Sequence, residues 1–157
     1  MSKNNFHIEL KNSETLVEGA KLADKSYRLD TSNVFMFSAV TWNRHKIHYD
    51  QSQAEQEGHK NVLIQRGLIG NIFTRYINEL FSNVFIQQLN WKVVSSAAPD
   101  QILDCSGAIL NKTSLEDSLT VELSLELSSL DNQKIAQATA TIRDISKVDL
   151  IRPCSLI

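Results

Sequence analysis

The chain has 157 residues, 42% of them hydrophobic and 22% charged, with a formal net charge of −2. That length supports one domain with a sizeable core, spanning 1–157, and is too short for two comfortable ones. The near-neutral charge gives no reason to expect the clustered positive surface that nucleic acid or an anionic membrane would require, and no apolar run approaches a membrane span.

Residues 1–15 are polar and read as loose, without the apolar core of a signal peptide, so a cytoplasmic location is expected. Leu22 to Leu29 reads as a first strand with Tyr27 and Leu29 on one face. Asp30-Thr31-Ser32-Asn33 offers N-caps to the apolar run Val34–Val40, predicting a helix of two to three turns. Residues 42–62 are polar and read as irregular. From Gly67 to Phe81 the apolar positions Leu68, Ile69, Ile72, Phe73, Tyr76, Ile77 and Leu80 recur at three- and four-residue spacing, which predicts a mostly buried helix. The period then changes to two. Phe85–Ser96, Gln101–Leu110, Leu119–Leu127 and Ile135–Ile145 read as strands, with Asp131-Asn132-Gln133 turning the last two into a hairpin. One buried helix followed by long antiparallel strands is an α+β layout, a curved sheet wrapped around a helix. Residues 146–157 form a tail.

The polar stretch carries the candidate chemistry. Asn43, His45, His48 and Asp50 lie within eight residues, and Gln65-Arg66-Gly67 then opens the long helix. Titratable groups at the seam between ordered elements are where acid–base work is usually placed. His45-x-x-His48-x-Asp50 is not a standard metal spacing, so no metal is expected. Gly67 and Gly70 lack the lysine and hydroxyl of a phosphate loop. Cys105 and Cys154 have no neighbouring histidine and read as reduced structural thiols, His7 and His59 as solvated. Arg66, Lys60 and Arg75 either meet phosphates or form a solvated face. The sequon Asn111-Lys112-Thr113 carries little weight without a secretion signal.

The order of strand, short helix, histidine loop, glycine-led helix and antiparallel sheet resembles the hot-dog fold. More narrowly, it resembles the MaoC-like (R)-specific enoyl-thioester hydratases and 3-hydroxyacyl-thioester dehydratases over residues 18–145. Their signature, approximately Ser/Thr-Gly-Asp-x-Asn-Pro-Ile-His, falls without gaps on Thr41-Trp42-Asn43-Arg44-His45-Lys46-Ile47-His48, followed by Tyr49-Asp50. Ile47, His48 and Asp50 match. The family's aspartate falls on Asn43, its asparagine on His45 and its proline on Lys46. Some related dehydratases carry an Asn-x-His-x-Ile-His-Tyr-Asp variant, which this chain fits. The family's Val-His-Gly segment is represented by Gln65-Arg66-Gly67, with Arg66 replacing the histidine.

The resemblance implies a lyase acting on an acyl-CoA or acyl-carrier-protein thioester, without cofactor, as a homodimer. His48 would be the general acid/base, with Asn43 and His45 beside it. The backbone N–H of Gly67 would hold the thioester oxygen, and Tyr49, Asp50 and Arg66 would contact substrate. A long final strand at an exposed edge, wanting a partner, fits dimerisation. An amide cannot exchange a proton at neutral pH, so Asn43 leaves three readings open. Either His48 does all the proton transfer, or His45 or Asp50 shares it, or hydration is lost. In the last case the chain would bind, isomerise or cyclise a carrier-bound polyketide-like acyl chain, or act as an accessory subunit. A thioesterase is weaker, because Gly67 to Asn78 offers no carboxylate.

Overall fold

A computed structural model of the protein describes residues 8–9, 16–115 and 118–144. The sequence-predicted tail, Cys154 and His7 lie outside them, as does most of the segment read as loose. Within that segment Ile8–Glu9 forms a short strand (β1), which pairs in parallel with Phe81–Ser82 (β3).

The remaining strands form one antiparallel sheet. They are Lys25–Arg28 (β2), Val84–Val93 (β4), Ile102–Leu115 (β5), Ser118–Ser129 (β6) and Lys134–Asp144 (β7), in the order β2-β5-β6-β7-β4. The period-two pattern becomes the pleat directly. Val121, Leu123, Leu125 and Leu127 of β6 are buried, and Ala136, Ala138, Ala140 and Ile142 of β7 lie on the same inner face. Across the register Leu123 faces Ala140 and Leu125 faces Ala138, with Leu89 and Trp91 of β4 on the other side of those alanines. Small side chains between larger ones leave a trough along the sheet, where bulky residues of a covering element find room.

That covering element is the helix Arg66–Leu80 (α3). Its Ile69, Ile72, Phe73, Tyr76, Ile77 and Leu80 are all buried, the three- and four-residue spacing read from the sequence. Removing such a side chain leaves a cavity that the packed surroundings fill only in part, so Phe73→Ala should cost about 3–5 kcal/mol. The hairpin between β6 and β7 also forms as expected. Asn132 takes the left-handed conformation (φ 59°) that asparagine tolerates well, and its N–H bonds Ser129.

Several boundaries differ. The strand read over Leu22–Leu29 is β2, four residues long and not eight. Leu22 is instead tied by its N–H to the Gly107 carbonyl, at 2.8 Å. β5 runs five residues further than its alternation suggests, because a register shift between Ile109 and Asn111 lets pairing resume past the break. The stretch read as irregular holds a 3₁₀ turn, Lys46–His48, and a helix, Gln51–Gln56 (α2). The final described strand is not an edge. β7 lies between β6 and β4, so among the described strands the edges are β2 and β4.

Between β2 and the histidine loop runs Thr31–Thr41 (α1), with both ends fixed by local chemistry. Asp30 Oδ1 accepts from Asn33 N at 2.8 Å while Asn33 Oδ1 accepts from Asp30 N at 3.0 Å, a reciprocal cap. At the other end Trp42 occupies the left-handed position that glycine usually fills (φ 54°). Asn43 N then donates back to the Ser38 carbonyl at 2.9 Å, the six-to-one bond of a Schellman closure. Helix termination therefore places Asn43.

Candidate active site

His48 ends the 3₁₀ turn and is half-buried. Its Nδ1 lies 2.8 Å from the carbonyl of Leu63. A carbonyl only accepts, so Nδ1 carries the proton and Nε2 keeps its lone pair. The Leu63 segment is fixed in turn, since Leu63 N donates to Ile47 O at 2.9 Å and Ile64 N to Ala97 O at 2.8 Å. Burial holds the imidazole below its ordinary pKa of 6.5. The Leu63 bond opposes that shift, and the neighbouring His45 adds to it. His48 is thus a neutral base at pH 7 with one nitrogen tethered.

His45 lies edge-on to His48, ring centroids 5.8 Å apart, and is exposed. Its Nε2 is 3.8 Å from a carboxylate oxygen of Glu57, just beyond α2. Asn43 Oδ1 accepts the backbone N–H of His45 at 3.1 Å. A backbone N–H only donates, so the amide is oriented with its NH₂ free to meet another group. Asp50 caps α2 by accepting from Gln53 N at 3.2 Å. Tyr49 donates its hydroxyl to the Arg44 carbonyl at 2.9 Å and sets its ring edge-on to Phe35 at 6.5 Å. Both side chains thus spend at least one polar contact on holding the loop.

Gln65 precedes α3 and donates no side-chain cap to it, and Ile69 N is the first α3 amide bonded back, to Gln65 O at 3.0 Å. The N–H groups of Arg66, Gly67 and Leu68 in the first turn thus have no helical acceptor and lie at the positive end of the helix dipole. Space at Gly67 is tight: a Cβ would stand 3.0 Å from Cζ of Phe37 on α1, which would have to shift slightly. One turn on, a Cβ at Gly70 would be 2.7 Å from the Trp91 indole. Trp91 Nε1 donates to the Arg66 carbonyl at 3.0 Å, and Arg66 returns a 3.3 Å bond to the Trp91 carbonyl while stacking on the ring at 5.7 Å. Arg66 is an exposed cation held against β4.

α1 presents an apolar surface beside these groups. Phe35, Met36, Val40 and Trp42 are more than half exposed. A depression of about 210 Å³ is lined by Phe35, Ser38, Ala39, Trp42, Asn43, Arg44 and Tyr49. Exposed apolar side chains of this kind, when grouped, are common at binding surfaces.

The structure therefore gathers Asn43, His45 and His48 in one loop, with Gly67 and Arg66 at the start of α3. Arg75 is elsewhere, two turns along α3, where it bonds Glu79 at 2.6 Å. Lys60 is exposed and His59 half-buried. Among the described residues no three His, Cys, Asp or Glu side chains converge as a metal site requires. Cys105 is buried, its thiol pushed up to about 12 by burial and by Asp24. Sequence reasoning missed Glu57, the Leu63 carbonyl, Phe37, Trp91 and Gln65. From sequence Gln65 is read only as part of the Gln65-Arg66-Gly67 helix entry, and no local signal marks the contacts of any of the five.

The chain is similar to known proteins both in sequence profile and in fold. The profile of the hydroxyacyl-thioester dehydratase type 2 family matches residues 4–99. No curated protein sequence matches the chain significantly. Among solved structures, the (R)-hydratase from A. caviae involved in PHA biosynthesis superposes with a TM-score of 0.73 at 14% identity, over 82% of this chain and 97% of its own. The R-hydratase PhaJ1 from Pseudomonas aeruginosa gives 0.73 at 17% identity, over 82% of each chain. The MaoC-like dehydratase from Rhodospirillum rubrum gives 0.73 at 13%, over 83% of this chain and 94% of its own. The fold is the α+β hot-dog fold that the sequence resemblance implied. No described helix is long and apolar enough to cross a membrane.

Proposed function

Because the chain belongs to the hydroxyacyl-thioester dehydratase type 2 family, we propose that it is a lyase acting at the 2,3 bond of an acyl thioester, with His48 as its acid–base residue. The carrying observation is the tether from His48 Nδ1 to the Leu63 carbonyl, which leaves Nε2 as a neutral base. In dehydration, Nε2 takes the C2 proton and the electron pair moves into the thioester carbonyl. The first-turn N–H of Gly67 stabilises the resulting enolate oxygen. The pair then returns to form the C2=C3 bond, the C3–O bond breaks, and the proton on Nε2 passes to the departing hydroxyl, which leaves as water. One histidine serves both steps when proton and hydroxyl leave from the same face. Hydration is the reverse.

Asn43 needs no proton of its own in this scheme. Its NH₂, oriented by the His45 N–H on Oδ1, donates to the C3 oxygen and positions it. His45, edge-on to His48 and near Glu57, adds to the burial that holds the His48 pKa below 6.5. Arg66, Tyr49 and Asp50 line the approach, with Arg66 the cation available to a phosphorylated thioester carrier, coenzyme A or an acyl-carrier arm. The exposed apolar face of α1 offers an acyl chain or a second copy its cover, and the free edge of β4 is the strand by which two copies would pair. The chain is proposed to act as a homodimer in the cytoplasm, without cofactor.

Incubating the wild-type protein with 3-hydroxyacyl and enoyl thioesters of several lengths, and identifying products by mass, tests the reading. Interconversion of the two is expected. Release of free thiol instead would make the protein a thioesterase. Turnover only after Asn43→Asp would mark a site that has drifted from hydration, toward binding, isomerising or cyclising a carrier-bound chain.

A further inference from the structure

The side chain of Gln65 is 2% exposed, although it sits at a helix start where the functional reading concentrates free polar groups. Its Nε2 donates to two acceptors on α1, the Val34 carbonyl and the Ser38 hydroxyl oxygen, each at 2.7 Å. Val34 and Ser38 are also the two buried residues of α1. The amide cannot be turned around, because the Val34 carbonyl accepts only. Its Oε1 is buried as well and has no hydrogen-bond partner among the described residues.

An acceptor buried without a partner costs about 1–3 kcal/mol. A methionine here would fill nearly the same volume without that cost, and Ser38 would turn its hydroxyl onto its own helix. The two bonds that Nε2 donates contribute about 0.5–1.5 kcal/mol each and only offset that cost, so stability gives glutamine little advantage over methionine here. What the amide uniquely supplies is a fixed distance. One residue after it the backbone becomes α3 and leads to Gly67. Through Ser38 it reaches the carbonyl that accepts Asn43 N at 2.9 Å, and Asn43 Oδ1 then receives His45 N at 3.1 Å. The groups proposed to hold the thioester oxygen and the C3 oxygen thus hang from opposite ends of one side chain. His48 is tied separately, through Leu63.

We propose that Gln65 is a positioning residue: its amide fixes the span between the Gly67 N–H and Asn43, and α1 exchanges freely without it. This rests on the functional reading given above. The test is Gln65→Met in the full chain, read by three measurements. Hydrogen exchange should speed up across residues 34–43 while α3 and the sheet keep wild-type rates. The melting temperature should stay at or above wild type. With an enoyl thioester, kcat should fall on the order of 100-fold, the effect of a misplacement near 1 Å. The change in KM should be smaller, and the acid limb of the pH profile should stay in place because His48 keeps its tether. A merely structural glutamine would instead lower melting temperature and kcat together and raise exchange throughout. Unchanged exchange in 34–43, or faster exchange with wild-type kcat, overturns the proposal. Should Gln65→Met not fold, Ser38→Ala removes one of the two bonds and should shift the same segment and kcat in the same direction by a smaller factor. No shift in either would likewise overturn it. A wild-type protein inactive on every thioester fails the functional reading itself, and the positioning role with it. A wild-type rate retained in the methionine variant fails only the role of Gln65.

Discussion

The two ends of α3 both gather polar side chains, and they treat them in opposite ways. At the carboxyl end Glu79 takes Arg75 Nε at 2.6 Å, Lys25 Nζ at 3.2 Å and the Tyr27 hydroxyl at 3.1 Å, with Arg75 stacked on the Tyr27 ring at 5.2 Å. Burial works against the Glu79 charge, but those three donors hold its carboxyl below the usual range, and the Tyr27 hydroxyl is pushed well above its own by burial and by Glu79. Tyr76, one turn earlier, donates to the Ala23 carbonyl at 3.0 Å. Every group there is matched by another, and the result pins edge strand β2 to the helix. At the amino end valences stay open: His48 Nε2, the Asn43 NH₂ and the first-turn N–H groups. A saturated cluster stabilises, whereas an open one is ready to bind.

The sharpest way to break that contrast is His48→Ala. Loss of the proposed base should lower kcat by about 10³-fold or more, with an unchanged melting temperature, and equal turnover in the variant would remove the amino end's claim to chemistry. Asn43→Ala should cost about 10–100-fold, mostly in kcat, because it removes orientation and not a proton; a wild-type rate would leave Asn43 outside the mechanism. Gly70→Ala forces a Cβ into the Trp91 indole and should cost about 1–3 kcal/mol in denaturant unfolding. A stable variant would show that the Trp91–Arg66 clasp gives way easily. At the other end Tyr27→Phe should lower stability by about 1 kcal/mol and leave kcat alone, so an activity change there would blur the contrast. The mildest effect is on pH. A base must be neutral, and the His48 pKa lies below 6.5, so kcat/KM should reach half its plateau only below pH 6.5. A half-fall at or above pH 6.5 would mean that the pKa is not depressed.

Legibility in the sequence followed how local each interaction is. The Asp30 cap, the α3 periodicity and the Leu119–Leu127 alternation depend on neighbours a few residues away, and all are plain in the residues. The helix Gln51–Gln56 has no apolar period, with Ala54 its one buried residue, so nothing marks it beyond the Asp50 cap. The run of β5 past Ile109 and the interior place of β7 depend on pairing with distant strands. In the loop, the family-like spacing pointed to Asn43, His45 and His48, and the fold brings them together. Gln65 and Leu63 were not legible as parts of the site, because their partners lie 31, 27 and 15 residues away.

The central claim is that the amino end of α3 keeps a neutral base with one nitrogen free, and ¹⁵N NMR of His48 in the wild-type protein tests it without any substrate. The expected spectrum at neutral pH has the proton on Nδ1 and an unprotonated Nε2, titrating with a midpoint below 6.5. A proton on Nε2 at neutral pH, or a midpoint above 6.5, would contradict it.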